Sequence, residues 1–300
     1  MSIGKHKPSL HNFGAKAIYV INDISNVERK NRFIDDWNHF SDFNYEFVAA
    51  EMGTSIEVNN LINSGRLESF WCGEGAITKN ILGCYESHRK VWEKAEAELK
   101  DQDEYVLILE DDARLTPHFL DTAYSSGEFH KVLEFIKSNT VNCFWWGRAD
   151  NKVIGDSYND FLKKPDAFIG LGAHGYMVSK GMLHYLLQES QSIKYALDVF
   201  LDVIFRGMGR QYSPNFSYIR QVQHMTNSRF LAKDHPLFVW TSTTQPDRKP
   251  FDTIPNPTDL FSHIHDDMSP YISEAEFVLL QNVKSGIEFK FKLADSKTLI

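Results

Sequence analysis

The run Val106-Leu107-Ile108-Leu109 restricts the fold more than any other stretch, because it has no polar residue at alternate positions. A strand of that composition is buried, and a sheet built from such strands needs helices packed against it. The chain supplies both. AIYVIN (17–22), YEFVAA (45–50), EYVLILE (104–110), VNCFWW (141–146), AHGYMVS (173–179) and SYIRQVQ (217–223) read as strands. Amphipathic segments lie between them. Ser25 and Glu28 have the S-x-x-E spacing of a capping box, ahead of a helix with Phe33, Ile34, Trp37 and Phe40 on one face. Thr78 is placed to cap a long helix through Leu99, and Thr116–Pro117 restarts a helix in N-cap then N1 order. Ser179 precedes a helix carrying Met182, Leu183, Leu186 and Leu187, and residues 196–206 form another. Strands alternating with helices predict an α/β fold around a mostly parallel sheet.

This pattern spans residues 1–230, which we expect to form one domain. Residues 231–300 are expected to be a C-terminal extension. Within it, 241–270 gathers Pro246, Pro250, Pro255 and Pro257 into a polar stretch, and FVLLQ and EFKFKL near the end read as short strands.

At 42% hydrophobic residues the chain can bury a substantial core. Its 32 basic and 40 acidic residues leave a net charge of −8, with no long basic run. That balance argues against a nucleic-acid binder, which draws its affinity from clustered Lys and Arg. Cys72, Cys84 and Cys143 are odd in number and lack CxxC spacing, so neither a disulfide framework nor a structural zinc site is expected. The N-terminus lacks the apolar core of a signal peptide, and no apolar stretch is long enough to span a bilayer. The expectation is a cytoplasmic protein whose membrane contact, if any, is peripheral at the inner face.

Leu109 leads directly into Glu110, Asp111 and Asp112. Such a triplet is either a solvated turn with a capping carboxylate or a cation site. Position favours the second, because ligands of open α/β sheets bind at the carboxyl ends of the strands. If the strand runs on, alternation puts Glu110 and Asp112 on one face and Asp111 on the other. Three adjacent anions repel unless something positive sits among them, and a divalent cation that also holds a diphosphate would meet that need. Other residues have two readings as well. His88 shares a helical face with Tyr85 and Trp92, either as a core histidine or as part of a pocket. Asp198 is either a helix N-terminal charge or a general base. Trp145 and Trp146 belong to the core unless they stack on a sugar. HIHDD (263–267) has metal-like spacing but lies in the Pro-rich extension.

In order along the chain, these segments resemble glycosyltransferase family 25, the lipooligosaccharide and procollagen galactosyltransferase group. VLILEDDARL resembles the family's acidic strand-end motif, its D-x-D equivalent. YVINDISNVERKNRF is similar to V-I-N-L-D-R-R-x-D-R-R-x-R-M and keeps Asn22, Arg29 and Arg32, while Asp23 and Ile24 depart from it. FNYEFVAAEMG is similar to F-x-A-x-D-G, with Glu51 in place of Asp. ITKNILGCYESHRKVWEKA is similar to G-E-I-G-C-x-x-S-H-x-x-x-W, keeping Gly83, Cys84, Ser87, His88 and Trp92. GAHGYMVSKGMLHYLL is similar to G-x-x-x-Y-x-I-S-x-x-G-A-x-x-L, and ALDVFLD to P-V-D-x-F-L, with Ala-Leu for Pro-Val before Asp198.

The resemblance covers residues 16–230 and implies a GT-A fold with a nucleotide-binding half and an acceptor-binding half. It implies metal-dependent, inverting transfer of a hexose, galactose first, from a UDP-sugar to a carbohydrate acceptor such as a lipooligosaccharide. Mn²⁺ or Mg²⁺ would be held by Asp112 and Glu110, with His224 completing the shell. Donor contacts would come from Asn22, Arg29, Glu51, Ser87, His88, Glu110 and Asp111, and Asp198 would be the base. The extension would pack on or near the acceptor side. Two other readings remain at this level: a metal-dependent phosphatase or phosphotransferase with an aspartyl nucleophile, and a non-catalytic sugar-binding module.

Overall fold

A computed structural model describes residues 9–67, 76–148, 152–165, 172–193 and 196–221, together with the backbone of two strands at 275–283 and 286–293. In chain order the strands are β1 (Ala17–Asn22), β2 (Glu46–Ala49), β3 (Tyr105–Glu110), β4 (Ala113–Leu115), β5 (Cys143–Gly147), β6 (Gly155–Ser157), β7 (Leu162–Pro165), β8 (Gly175–Ser179), β9 (Gln211–Pro214) and β10 (Ile219–Gln221). The helices are α1 (Val27–Trp37), α2 (Val58–Asn63), α3 (Ala76–Glu98), α4 (Glu128–Ser138), α5 (Lys180–Glu189) and α6 (Leu197–Met208). Near the C-terminus β11 (Ala275–Val283) and β12 (Gly286–Leu293) pair antiparallel, where two short strands were expected. The Pro-rich stretch 241–270 lies outside the described residues.

Eight strands form the central sheet, in the order β2-β1-β3-β8-β5-β9-β7-β6. β2, β1 and β3 are parallel, as helix-linked strands should be. Beyond β3 the sheet is mixed. β8 lies antiparallel between β3 and β5, β9 is parallel to β5, and β7 and β6 are antiparallel. Three consecutive parallel strands therefore occur only on the β2–β1–β3 side of the sheet.

The apolar run that opened the sequence divides between two core layers. Val106 and Ile108 pack with residues of α3, α5 and α6, including Trp92, Leu183 and Phe200. Leu107 and Leu109 pack on the opposite face, with Phe33 and Trp37 of α1 and Phe129 and Val132 of α4. All four β3 side chains are fully buried, and each contributes about 1.5–3 kcal/mol by leaving water. β5 divides in the same way. Trp145 faces the α3 layer and Trp146 the α1 layer, so both tryptophans are core residues.

Three sequence expectations need correction. The capping box at Ser25 and Glu28 does not form, because the Ser25 hydroxyl and amide both bond Asp23 Oδ1, at 2.6 and 2.9 Å. Asn26 caps α1 instead, accepting the Arg29 amide at 3.1 Å. α3 begins at Ala76, so Thr78 lies inside its first turn. SYIRQVQ does not join the central sheet. Its strand, β10, pairs antiparallel with β4 in a separate two-stranded ribbon. The sheet position next to β5 goes to β9, QYSP, which has too little apolar character to be read as a strand. Ser179 does cap α5, accepting the Met182 amide at 3.3 Å.

Candidate functional site

β3 ends at Glu110, and the backbone then turns, so the alternation expected through the triplet stops there. The Asp111 amide donates to Ile21 O at 3.0 Å, which ties the turn to the end of β1. Both aspartates then meet the first turn of α1. Arg29 Nη2 pairs with Asp111 Oδ1 and, at 3.0 Å, with Asp112 Oδ2. Asn22 Nδ2 donates to Asp111 Oδ2 at 2.7 Å. The positive charge the cluster requires is thus partly supplied by the chain. Arg29, named from the sequence as a donor contact, lies across two carboxylates.

Glu110 faces the other core layer. Gln221 Nε2, delivered by β10, sits 3.3 Å from both Glu110 Oε2 and Asp112 Oδ2 and joins the two carboxylates. β10 approaches this closely because of Gly147. A Cβ there would lie 2.5 Å from Ile219 O and 2.8 Å from His174 Nε2, contacts that backbone atoms cannot relieve. Gln221 was not recognised in the sequence, because its role depends on a ribbon that pairs across about a hundred residues.

Glu110, Asp111 and Asp112 set three carboxylates against the one guanidinium of Arg29; nearby Arg114 pairs with Asp36. Two negative charges are left over. Asp112 shows the strain most clearly. It is 1% exposed, its Oδ1 lacks a hydrogen-bond partner among the described residues, and burial, with Glu110 beside it, pushes its carboxyl up to about 7. Burial also raises Asp111, outweighing Arg29 and Asn22. Glu110 is held below the usual range, because His88, His174 and Arg29 outweigh its burial. A divalent cation would supply the missing charge and a partner for the orphaned oxygen, so the residues present fit one.

On the α3 flank Glu110 meets an imidazole and a thiol. His88 is fully buried; its Nδ1 meets Tyr176 Oη at 2.9 Å and its Nε2 lies 3.4 Å from Glu110 Oε1. Trp92 Nε1 donates to the same Tyr176 hydroxyl at 2.9 Å. Cys84, one helical turn before His88, places Sγ 3.8 Å from Glu110 Oε1. Burial raises the Cys84 thiol, and the charges of Glu110, Asp198 and Asp112 add to that. Asp198 lies in the first turn of α6 with Oδ1 accepting the Val199 amide at 2.9 Å. Burial raises its carboxyl. Asp202, one turn on, is buried and lies 3.6 Å from Arg206.

Two residues named from the sequence are occupied elsewhere. Ser87 Oγ donates to Gly83 O at 2.6 Å and accepts the Glu51 amide at 2.8 Å. The Glu51 carboxylate pairs with Lys90 at 2.8 Å. Both hold the 51–53 segment against α3. Gly53 and Gly83 allow the contact, since a Cβ on Gly83 would lie 2.6 Å from Glu51 O and one on Gly53 2.8 Å from Asn80 N. His224 and the HIHDD segment lie outside the described residues. A surface cleft of about 600 Å³ lined by Lys152, Tyr158, Lys163 and Phe216 shares no residue with the carboxylate cluster. No helix among the described residues is long and apolar enough to cross a membrane.

Comparison with known proteins bears on this site. The family model described as glycosyltransferase family 25 (LPS biosynthesis protein) matches residues 15–201, which include β1, α1, α3, β3 and Asp198. A curated protein of Aedes aegypti, described as a glycosyltransferase 25 family member, is 32% identical over 233 residues. The match takes in 73% of this chain and 34% of the relative, so the chain spans about a third of that protein's length.

Proposed function

The chain belongs to glycosyltransferase family 25, and from that premise we propose that it moves a hexose, galactose first, from a UDP-sugar to a carbohydrate acceptor. The family description points to a lipopolysaccharide-type glycan as that acceptor. The reading includes a GT-A architecture, inversion at the anomeric carbon and dependence on Mn²⁺ or Mg²⁺. One observation carries it: a buried carboxylate set at the end of β3 with two negative charges in excess and an unpartnered Asp112 oxygen.

Asp112 and Glu110 would hold the cation, with His224 as a further ligand. When bound, the cation supplies compensation for the charge that grows on the diphosphate as the glycosidic bond breaks. Arg29 and Gln221 keep Asp112 aimed at this position. Asn22, at the end of β1, and Asp111, just after β3, form the polar edge proposed to meet the nucleoside. Glu51 and Ser87 would act by fixing the loop beside it. Asp198 would take the acceptor hydroxyl proton during attack, and burial makes it a stronger base than an exposed carboxylate.

The test is UDP release from a panel of nucleotide sugars, with a glycan acceptor, in Mn²⁺ or in EDTA. We expect turnover of UDP-galactose in Mn²⁺ and none in EDTA; equal turnover in both removes the metal from the scheme. Asp198→Asn should lose about 10²–10⁴-fold in transfer yet still gain thermal stability from UDP with Mn²⁺. Wild-type transfer by that variant removes Asp198 as the base.

A further inference from the structure

Cys84, His88 and Glu110 place a thiol, an imidazole nitrogen and a carboxylate oxygen within 4.8 Å of one another. Their spacing is poor for hydrogen bonds. His88 Nε2 is 3.4 Å from Glu110 Oε1, whereas a charge-assisted N–H···O bond closes to about 2.7–2.9 Å. Cys84 Sγ stands 3.8 Å from the same oxygen.

The spacing suits a shared cation instead. Zinc bonds of about 2.3 Å to sulfur, 2.05 Å to nitrogen and 2.1 Å to oxygen, at tetrahedral angles, set N···O at about 3.4 Å and S···O at about 3.6 Å. Those two pairs are observed at 3.4 and 3.8 Å, and the third, thiol to imidazole, lies within 4.8 Å. Cys84 and His88 are four residues apart on α3, a spacing that turns both side chains to one helical face. His88 is also prepared as a ligand. Ligation through Nε2 requires Nδ1–H to donate to Tyr176 Oη, which also accepts from Trp92 Nε1, and this contact fixes the ring with Nε2 toward Glu110. The Glu110 side chain is 20% exposed, so an ion can reach the site from solvent.

We infer that Cys84, His88 and Glu110 bind a thiophilic divalent cation, Zn²⁺ before Mn²⁺ or Mg²⁺, at a position separate from Asp112. A thiolate and an imidazole select the softer ion, while the carboxylates around Asp112 suit the harder ones. On binding, the Cys84 thiol releases its proton to solvent and the three protein ligands leave a fourth position for water. Glu110 belongs to both positions. Its Oε1 faces Cys84 and His88, and its Oε2 faces Gln221. Zn²⁺ therefore ties down a carboxylate on which the harder cation draws, and it should weaken Mn²⁺ binding. The inference rests on these ligands alone and stands whether or not the chain transfers sugar.

Co²⁺ titration of the full chain tests it, because a cysteine thiolate bound to Co²⁺ gives a charge-transfer band in the near ultraviolet. We expect one equivalent of Co²⁺ to produce the band, one equivalent of Zn²⁺ to erase it and excess Mg²⁺ to leave it. Cys84→Ser should abolish the band, and His88→Gln should weaken Co²⁺ binding at least 10-fold, with Asp112→Ala keeping the band while losing Mn²⁺. A wild-type chain without the band, or a band displaced by Mg²⁺, overturns the inference without any variant. A band that survives in Cys84→Ser places the thiolate elsewhere and overturns it equally.

Discussion

The two flanks of the acidic strand end are built differently. On the α1 side, Asp111 and Asp112 are met by a guanidinium and a carboxamide at hydrogen-bonding distance, so the protein itself supplies charge. On the α3 side, Glu110 faces a thiol, an imidazole and, through it, a tyrosine hydroxyl, at separations of 3.4 Å and more. One flank is an ion-pair network that exists without a ligand. The other sets an imidazole and a thiol at longer distances from Glu110. A single carboxylate triplet thus meets a partly compensating guanidinium on one flank and these two groups on the other, because β3 ends between helices from two layers.

Removing the charged partner should give the largest effect. Arg29→Ala leaves two buried carboxylates without their cation, and we expect a loss of about 3–5 kcal/mol in denaturant unfolding without divalent ions. The same variant should bind Mn²⁺ more tightly, since its cluster has one more unbalanced charge. A variant that unfolds at the wild-type midpoint would show that the Arg29 pairs carry no weight.

Asp112 gives the next effect, with a sign set by pH. Its carboxyl titrates near 7 when folded, above the ordinary unfolded value. The ionised form is therefore disfavoured in the fold, and this group's contribution to stability is full below about pH 4 and lost as pH rises through 7. In EDTA, Asp112→Asn should be more stable than the wild type above pH 7, on the order of a few kcal/mol, and similar to it near pH 4. Thermal melts across that range read the crossover. A flat difference between the two proteins would refute the buried-charge account. Saturating Mn²⁺ should reverse the order at pH 8, because only the wild type retains the carboxylate ligand.

The α3 flank should respond least. Tyr176→Phe deletes the hydroxyl between His88 Nδ1 and Trp92 Nε1 and leaves two buried ring nitrogens without a partner. A loss of about 1–3 kcal/mol is expected. A larger loss than that of Arg29→Ala would invert the comparison between flanks.

Much of the scaffold was legible because it depends on local periodicity. The strands at 17–22 and 105–110 follow from β-branched and aliphatic runs, and α3 and α6 from helical spacing. β9 was not legible, since QYSP owes its place to β5 and β7 rather than to its own composition. β10 was read as a strand but assigned to the central sheet. Its pairing with β4 depends on Gly147 and Gly175 letting Ile219 pack over them, a contact between distant segments. The same limit applied to Arg29. Its presence at the start of α1 was plain, but whether it faced phosphate or carboxylate depended on how β1 and β3 align.

By itself, the sequence determined that apolar strands alternate with amphipathic helices, that three carboxylates follow the apolar run 106–109, and that the ordered motifs are those of glycosyltransferase family 25. Only the tertiary structure decided the partners of each carboxylate. Backbone propensity and periodicity act over a few residues and are written along the chain. Charge compensation acts through space, and the groups that provide it here, Asn22, Arg29, His88 and Gln221, come from four elements spread from β1 to β10.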